Sequence, residues 1–184
     1  HEETTAKYGF DLHRAGTGEI IYGEYTGKDV GRAGAGDIDP NYRGVESWTS
    51  EGGVRDCKGN NIGGSRPAMN FRVYWDGDLQ DELLDNKTIS KWNPEKKKAS
   101  SILELTSFEK VTSCNSTKAT PCLQADLFGD WREEIILWDQ SDSATLVLFT
   151  TTTPTQYRIP TLMHDHVYRM GIAWQNVAYN QPPH

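Results

Sequence analysis

The sequence has few cysteines, no long apolar run and no excess of positive charge. Its three cysteines, Cys57, Cys114 and Cys122, lack the Cys-x-x-Cys spacing of metal sites. No run of eighteen apolar residues is present, so no membrane partner is expected. The net charge is −7 and the one lysine run, 96–98, fits a solvated loop. Nucleic acid is therefore not an expected partner.

The sequence also lacks a charged N-terminal region followed by an apolar segment, so a secreted form would already be processed. It begins abruptly before a strand-like segment, residues 8–12, which predicts a piece of a longer polypeptide. Cys114 and Cys122 are close enough in sequence to close a short loop as a disulfide, leaving Cys57 free. Spacing does not supply the geometry that a disulfide needs, so the reduced state stays an equal alternative.

What the sequence does contain is glycine and aromatic residues, with 17 Gly, 6 Trp and 8 Tyr in 184 residues. Short β-branched or alternating segments separated by turns are typical of an all-β protein, and the length suits one domain. The patterns predict a hairpin over 8–25, a buried central strand over 144–152, a polar loop over 93–101, a strand over 102–108 and a short helix or turn over 161–169.

Three stretches repeat one pattern, an acidic loop that leads into a strand beginning near a glutamate. Such loops hold hard cations because calcium takes oxygen ligands, although a solvated acidic turn is the alternative for each copy. The flanks are strand-like, which excludes the helix-loop-helix calcium site. The candidate ligands are Asp37, Asp39 and Glu46, then Asp76, Asp78 and Glu82, then Asp126, Asp130 and Glu133 or Glu134.

The repeat spacing is typical of propeller blades. Glu46 and Glu82 are 36 residues apart, and Glu82 and Glu133 are about 51 apart, while blades recur at roughly 40 to 50 residues. The sequence therefore predicts four-stranded antiparallel blades, each with its acidic loop at the corresponding place.

Other motifs are less specific. The glycine-rich segment 27–36 matches neither nucleotide-binding spacing, but it delivers Arg32 beside the first acidic loop. Lys118 lies in a long polar loop, 107–121, and loops of that length are often functional. His164 and His166 flank Asp165 in a helical turn, where a structural role is favoured over zinc binding.

Four stretches, GDWREEII, TPTQYRI, DVGRAGAGDIDP and the C-terminal TLMHDHVYRMGIAWQNVAYNQPPH, resemble the C-terminal part of rhamnogalacturonan lyases of polysaccharide lyase family eleven. The resemblance implies the C-terminal blades of an eight-bladed β-propeller, so that 1–184 is a partial catalytic domain. It also implies a secreted, extracellular, calcium-dependent enzyme that acts as a monomer on rhamnogalacturonan I of pectin by β-elimination. Independent activity of this part is not expected.

The resemblance also suggests site residues. Arg32, Lys118 and Tyr179 fall in stretches that match the family's cleft loops, and Asn176 is a further candidate calcium ligand. Arg32 suits a forked contact to a uronate carboxylate. Lys118 suits the base or a second carboxylate contact, and Tyr179 suits sugar stacking or proton exchange. Two non-catalytic alternatives stay open: a calcium-stiffened pectin-binding or structural β module, and an adhesion-type calcium propeller.

Overall fold

The structure is a computed structural model that describes residues 8–177. Within that range the chain divides into two compact units. One contains residues up to 69 together with 92–100, and the other contains 70–91 together with the residues from 101 onward.

The first unit consists of short antiparallel strands in two sheets. A hairpin forms the first sheet, as the sequence predicts. The second sheet has four strands in chain order, joined by the acidic loop 37–45 and by two turns. The strands are β1 (Gly9–His13) and β2 (Ile20–Tyr25), then β3 (Ala33–Gly36), β4 (Glu46–Thr49), β5 (Val54–Arg55) and β6 (Asn61–Gly63).

Two further four-stranded sheets follow. One has the order β10-β9-β8-β7. The end of β9, the start of β10 and the turn between them, residues 92–100, belong to the first unit. In the other, β14 pairs with one edge of β13, while β11 and β12 pair with different parts of the opposite edge. Their bounds are β7 (Phe71–Val73), β8 (Glu82–Asp85), β9 (Thr88–Asn93), β10 (Lys98–Glu104), β11 (Val111–Thr112), β12 (Leu123–Ala125), β13 (Glu134–Asp139) and β14 (Leu146–Phe149).

Helices are few, as the composition predicts. Short 3-10 turns cover Leu105–Ser107, Ser116–Lys118 and Leu162–His164, and α1 covers His166–Trp174. Asp165 begins α1, because its side chain accepts a hydrogen bond from the Tyr168 backbone N–H at 2.9 Å and satisfies one free helix donor. No helix within residues 8–177 has the length and apolar character that a bilayer crossing requires.

The core of the second unit lies between its sheets. Alternate residues of the strands point inward, as the period of two requires, and ten apolar side chains pack into one cluster. These are Phe71, Val73, Trp75, Leu84, Ile89, Leu105, Val111, Ile135, Leu137 and Phe149. The first unit buries Phe10, Val30, Ile38, Trp48, Val54 and Ile62.

The all-β class and the four-stranded antiparallel sheets are confirmed, and the described residues close no sheet into a ring. Three local predictions are wrong. The predicted loop 93–101 is partly strand, because β10 starts at Lys98, and the strand predicted over 102–108 turns into a 3-10 segment after Glu104. The run 144–152 gives an edge strand, β14, whose Leu146 is 62% exposed, rather than a central one.

Candidate functional site

One glutamate occupies the same place in each four-stranded sheet. Glu46, Glu82 and Glu134 are the first residues of β4, β8 and β13, and all three are buried. The structure selects Glu134 rather than Glu133 as the third copy. The predicted correspondence of the three acidic loops is confirmed for these glutamates.

In every copy, Oε2 of the glutamate accepts hydrogen bonds from two successive backbone N–H groups of the preceding loop. Such bonds to a carboxylate are about twice as strong as neutral ones, so the glutamate fixes the loop's curvature. The donors and distances are Ile38 (3.1 Å) and Asp39 (2.9 Å) for Glu46, Trp75 (2.9 Å) and Asp76 (3.0 Å) for Glu82, and Leu127 (2.8 Å) and Phe128 (3.1 Å) for Glu134.

The second loop brings three carboxylates together. Asp76, Asp78 and Glu82 offer oxygen atoms within 4.8 Å of one another, and within residues 8–177 no other three acidic, histidine or cysteine side chains meet that spacing. The grouping could hold a metal ion. The Lys91 ammonium donates to Asp78 Oδ2 and Glu82 Oε1, each at 2.7 Å, and also to Asp76. Burial lowers the pKa of Lys91, but the three carboxylates outweigh it and raise that pKa.

The first loop places its acidic residues differently. Asp39 is buried, its Oδ2 accepts the Trp92 indole N–H at 2.9 Å, and its Oδ1 accepts the Asn41 N–H at 3.1 Å. Asp37 is half-buried. Oε1 of Glu46 is buried without a hydrogen-bond partner in the structure. Burial raises the pKa of Glu46 to about 7, and the charges of Asp37 and Asp39 add to that effect.

The third loop already uses its carboxylates within the protein. Asp126 accepts hydrogen bonds from the Gly129 N–H at 2.7 Å, the Thr161 hydroxyl at 2.7 Å and the Leu162 N–H at 2.8 Å. Asp130 pairs with the Arg132 guanidinium at 2.5 Å. These contacts fasten the loop to the segment before α1. Calcium binding by Asp126, Asp130 and Glu134 stays a prediction.

Lys118 lies at the tip of a small excursion, residues 113–122, between β11 and β12. Cys114 and Thr120 close its base with a pair of backbone hydrogen bonds of 2.7 and 3.1 Å. Three residues adopt left-handed backbone geometry: Asn115, Ser116 and Ala119. This chain path is sparsely allowed for side-chain-bearing residues, which is a feature of functional loops. Lys118 itself is half-buried.

The side chain of Asn176 anchors this excursion. Its Nδ2 donates to the carbonyls of Pro121 at 2.9 Å and Cys122 at 3.0 Å, and its Oδ1 accepts from Asn115 at 3.3 Å. The neighbouring Gln175 satisfies both backbone groups of Gln124. Asn176 thus holds the Lys118 loop in place, and its role as a calcium ligand stays a prediction.

The remaining predicted site residues are Arg32, Tyr179 and the two histidines. Arg32 is half-buried and directly precedes β3, after a turn in which Asp29 accepts the Gly31 N–H at 3.0 Å. Tyr179 lies outside the described residues. His164 and His166 are exposed, and neither belongs to a three-ligand cluster in residues 8–177.

The whole chain, residues 1–184, matches the profile described as "Rhamnogalacturonan lyase family 11, C-terminal domain". The chain belongs to this family. It is 51% identical over 185 residues to the rhamnogalacturonan endolyase YesW of Bacillus subtilis (strain 168) and 47% identical over 201 residues to the rhamnogalacturonan exolyase YesX of the same strain. In both cases all of this chain is covered, but only 29% and 32% of the relative.

A solved structure gives the same result for the fold of this family 11 domain. The crystal structure of rhamnogalacturonan lyase YesW superimposes with a TM-score of 0.92 at 50% identity, covering 100% of this chain and 31% of that one. The chain thus spans about a third of the length of the relatives it matches.

Sequence reasoning missed several residues of this family 11 domain that carry charge or buried hydrogen bonds. The acidic pattern does not include Lys91, although the position of this lysine in the hairpin opposite Glu82 is a usable signal. Tyr168 was also missed. It forms a buried pair with Glu133, in which the hydroxyl donates to Glu133 Oε1 at 2.8 Å and accepts the Asp126 N–H at 2.9 Å. No sequence spacing links Tyr168 to residues some 40 positions earlier.

Proposed function

We propose that this chain is the C-terminal part of a secreted, calcium-dependent lyase that cleaves the rhamnose–galacturonate bonds of rhamnogalacturonan I in pectin. One observation carries the proposal: the entire chain matches the C-terminal domain of this family, with relatives named as an endolyase and an exolyase. The enzyme would act outside the cell, as a monomer, on the pectin polysaccharide.

The proposed architecture is the C-terminal blades of an eight-bladed β-propeller. Three four-stranded sheets, each with a glutamate at the start of its second or central strand, support a repeated blade. Residues 1–184 would then be part of a larger catalytic domain, because three four-stranded sheets are fewer than the eight blades of the proposed ring.

The proposed reaction is β-elimination at a galacturonate residue. A base takes the C5 proton, the C–H electrons form the C4–C5 double bond, and the C4–O4 bond breaks as the leaving oxygen gains a proton. The C5 proton is acidic only when the neighbouring carboxylate is neutralised. Arg32 suits that contact because its guanidinium matches two carboxylate oxygens. Lys118 is the proposed base, and Tyr179 is proposed to contact the sugar or to exchange the proton at O4.

Calcium, when bound, would supply positive charge that stabilises the developing enediolate or the fold itself. The first acidic loop is a candidate for the ion, because Glu46 has a buried carboxylate oxygen without a hydrogen-bond partner in the structure. Asp37 and Asp39 are the other residues of this loop that would hold it.

The test is an ultraviolet assay of the full-length protein on rhamnogalacturonan, since the new conjugated double bond absorbs light that the substrate does not. A rise in absorbance that requires calcium supports the proposal. Tight binding of the polysaccharide without any rise would contradict it and favour a pectin-binding module. That second candidate is supported by Trp174, which is 55% exposed and offers an aromatic face for a sugar ring.

A further inference from the structure

Lys91 lies directly across the sheet from Glu82. The register pairs Leu83 with Ser90, so the next pair outward is Glu82 and Lys91. An ammonium group has three N–H donors, and here each one meets a different carboxylate of the second acidic loop. The acceptors are Asp76 Oδ2, Asp78 Oδ2 and Glu82 Oε1.

The equivalent position differs in the other two copies. Opposite Glu134, the register places Thr150, whose hydroxyl donates one hydrogen bond to Glu134 Oε1 at 3.0 Å. Opposite Glu46, it places Asp56, whose Oδ1 instead accepts the N–H groups of Lys58 and Asn60, each at 2.9 Å. Oε1 of Glu46 is left without a partner. The residue facing the glutamate therefore decides what neutralises the loop.

From this comparison we propose that Lys91 is the resident cation of the second acidic loop and that this loop binds no calcium while the lysine is present. The reason is space and charge. Three oxygens within 4.8 Å of one another enclose one cation-sized position, and calcium would need them at about 2.3–2.6 Å. A divalent ion and an ammonium in the same place would repel strongly in a half-buried site. The sequence-based assignment of Asp76, Asp78 and Glu82 as calcium ligands is thereby reassigned to an internal ion-pair cluster.

The proposal is independent of the lyase reaction, because its readout is metal content. Calcium per chain is measured by equilibrium dialysis of the full-length protein, and terbium luminescence sensitised by tryptophan gives a second reading. Asp78→Asn removes one carboxylate from the cluster and should leave the calcium count unchanged. Lys91→Met removes the charge at similar side-chain length and should add one calcium ion per chain, and calcium should then raise its melting temperature by more than it raises that of the unsubstituted protein. Lys96→Met is the matched control, since Lys96 is exposed.

Two results would overturn the proposal. One is the loss of one calcium ion per chain in the Asp78→Asn protein, which would show a metal in the native loop. The other is a folded Lys91→Met protein that gains no calcium, which would show that ammonium and metal do not compete for the position. If Lys91→Met fails to fold in both calcium and chelator, the Asp78→Asn measurement decides alone.

Discussion

Two lysines have contrasting surroundings at the scale of single residues. Lys91 donates to three carboxylates, and its charge is compensated inside its own sheet. Lys118 lies at the tip of a strained excursion and is the last residue of the 3-10 turn Ser116–Lys118. A lysine whose charge is held by three carboxylates is a poor base, because those carboxylates raise its pKa. These contacts argue against Lys91 as a base, and Lys118 stays the proposed one.

Replacing Lys118 with alanine in the full-length enzyme should remove nearly all elimination activity. A positioned general base contributes about 10²–10⁴-fold, so kcat should fall by roughly that factor, as measured by the double-bond absorbance. Calcium content and melting temperature should stay the same, because the side chain acts on substrate. Lys96→Ala is the control. Full activity at saturating substrate would instead point to Tyr179 or to a residue outside this chain.

Glu46 should make the metal-free protein less stable as pH rises. Its folded pKa of about 7 lies above its ordinary value of 4.5, so the folded chain holds a proton that the unfolded chain has released. The contribution of Glu46 to the free energy of unfolding is therefore fully present below pH 4.5, decreases between about pH 4.5 and 7, and is lost above that range. Glu46→Gln should flatten this slope in thermal melts with chelator present. An identical slope in both proteins would rule out Glu46 as its source.

At the scale of elements, α1 is joined to the third sheet by buried polar contacts. Tyr168 is 5% exposed, and its hydroxyl connects Glu133 to the third acidic loop. The side chain of Gln175, just after α1, accepts a hydrogen bond from the Gln124 N–H and donates one to the Gln124 carbonyl in β12. At Gln124, this side chain therefore supplies the hydrogen bonds that a neighbouring strand would make.

Tyr168→Phe should destabilise the fold by about 2 kcal/mol, because it leaves a buried carboxylate oxygen and a buried N–H without their partner. Chemical denaturation of the full-length protein measures the change. Tyr157→Phe serves as the control, since Tyr157 is 44% exposed and a surface change of this kind shifts stability by less than about 0.5 kcal/mol. Equal effects of the two changes would argue against a structural role for the Tyr168 hydroxyl.

Cys114 and Cys122 lie near the two ends of the Lys118 excursion with their sulfur atoms 3.5 Å apart, both as free thiols. Oxidation by glutathione disulfide should join them, with two glutathione thiols released and the protein lighter by two hydrogen atoms. Burial raises the pKa of Cys122 to about 12, so native alkylation should modify the exposed Cys57 first. Peptide mass mapping distinguishes the outcomes, and a Cys57-containing disulfide within one chain would contradict the expected pairing.

The positions of β1 and β2 followed from the sequence, which predicts a hairpin over 8–25. β3 was missed because Ala33–Gly36 has no strand propensity, and it forms because the Trp48 indole covers it. A Cβ on Gly34 would lie 2.6 Å from that ring, so only glycine fits. The edge position of β14 was also missed, because a β-branched run does not reveal how many neighbours a strand will have.

In the acidic loops of the candidate site, too, some features could be predicted from the sequence and others could not. Their positions and the key glutamates could be predicted from spacing alone. What neutralises each loop could not, since Lys91, Thr150 and Arg132 reach the carboxylates through strand register and local turns.

At the scale of the whole molecule, calcium should stabilise the native state by binding it and not the unfolded chain. The melting temperature of the full-length protein should fall when excess chelator replaces calcium. Differential scanning calorimetry in matched buffers measures the shift, and Glu46→Gln should reduce it. An unchanged midpoint in chelator would count against structural calcium anywhere in the protein.

The division of one sheet edge between β11 and β12 has a consequence for how this domain can vary between relatives. β11 and β12 pair with different residues of β13, and the excursion, residues 113–122, connects them along the same edge. Residues 113–121 can change in length or sequence without altering the residues of β11 and β12 that pair with β13, and the Cys122 N–H still donates to the Ile136 carbonyl at 2.8 Å. The sequence and length of the excursion around Lys118 can therefore change while the strands of the sheet stay the same. The excursion of one relative can be transplanted into another without redesigning the sheet.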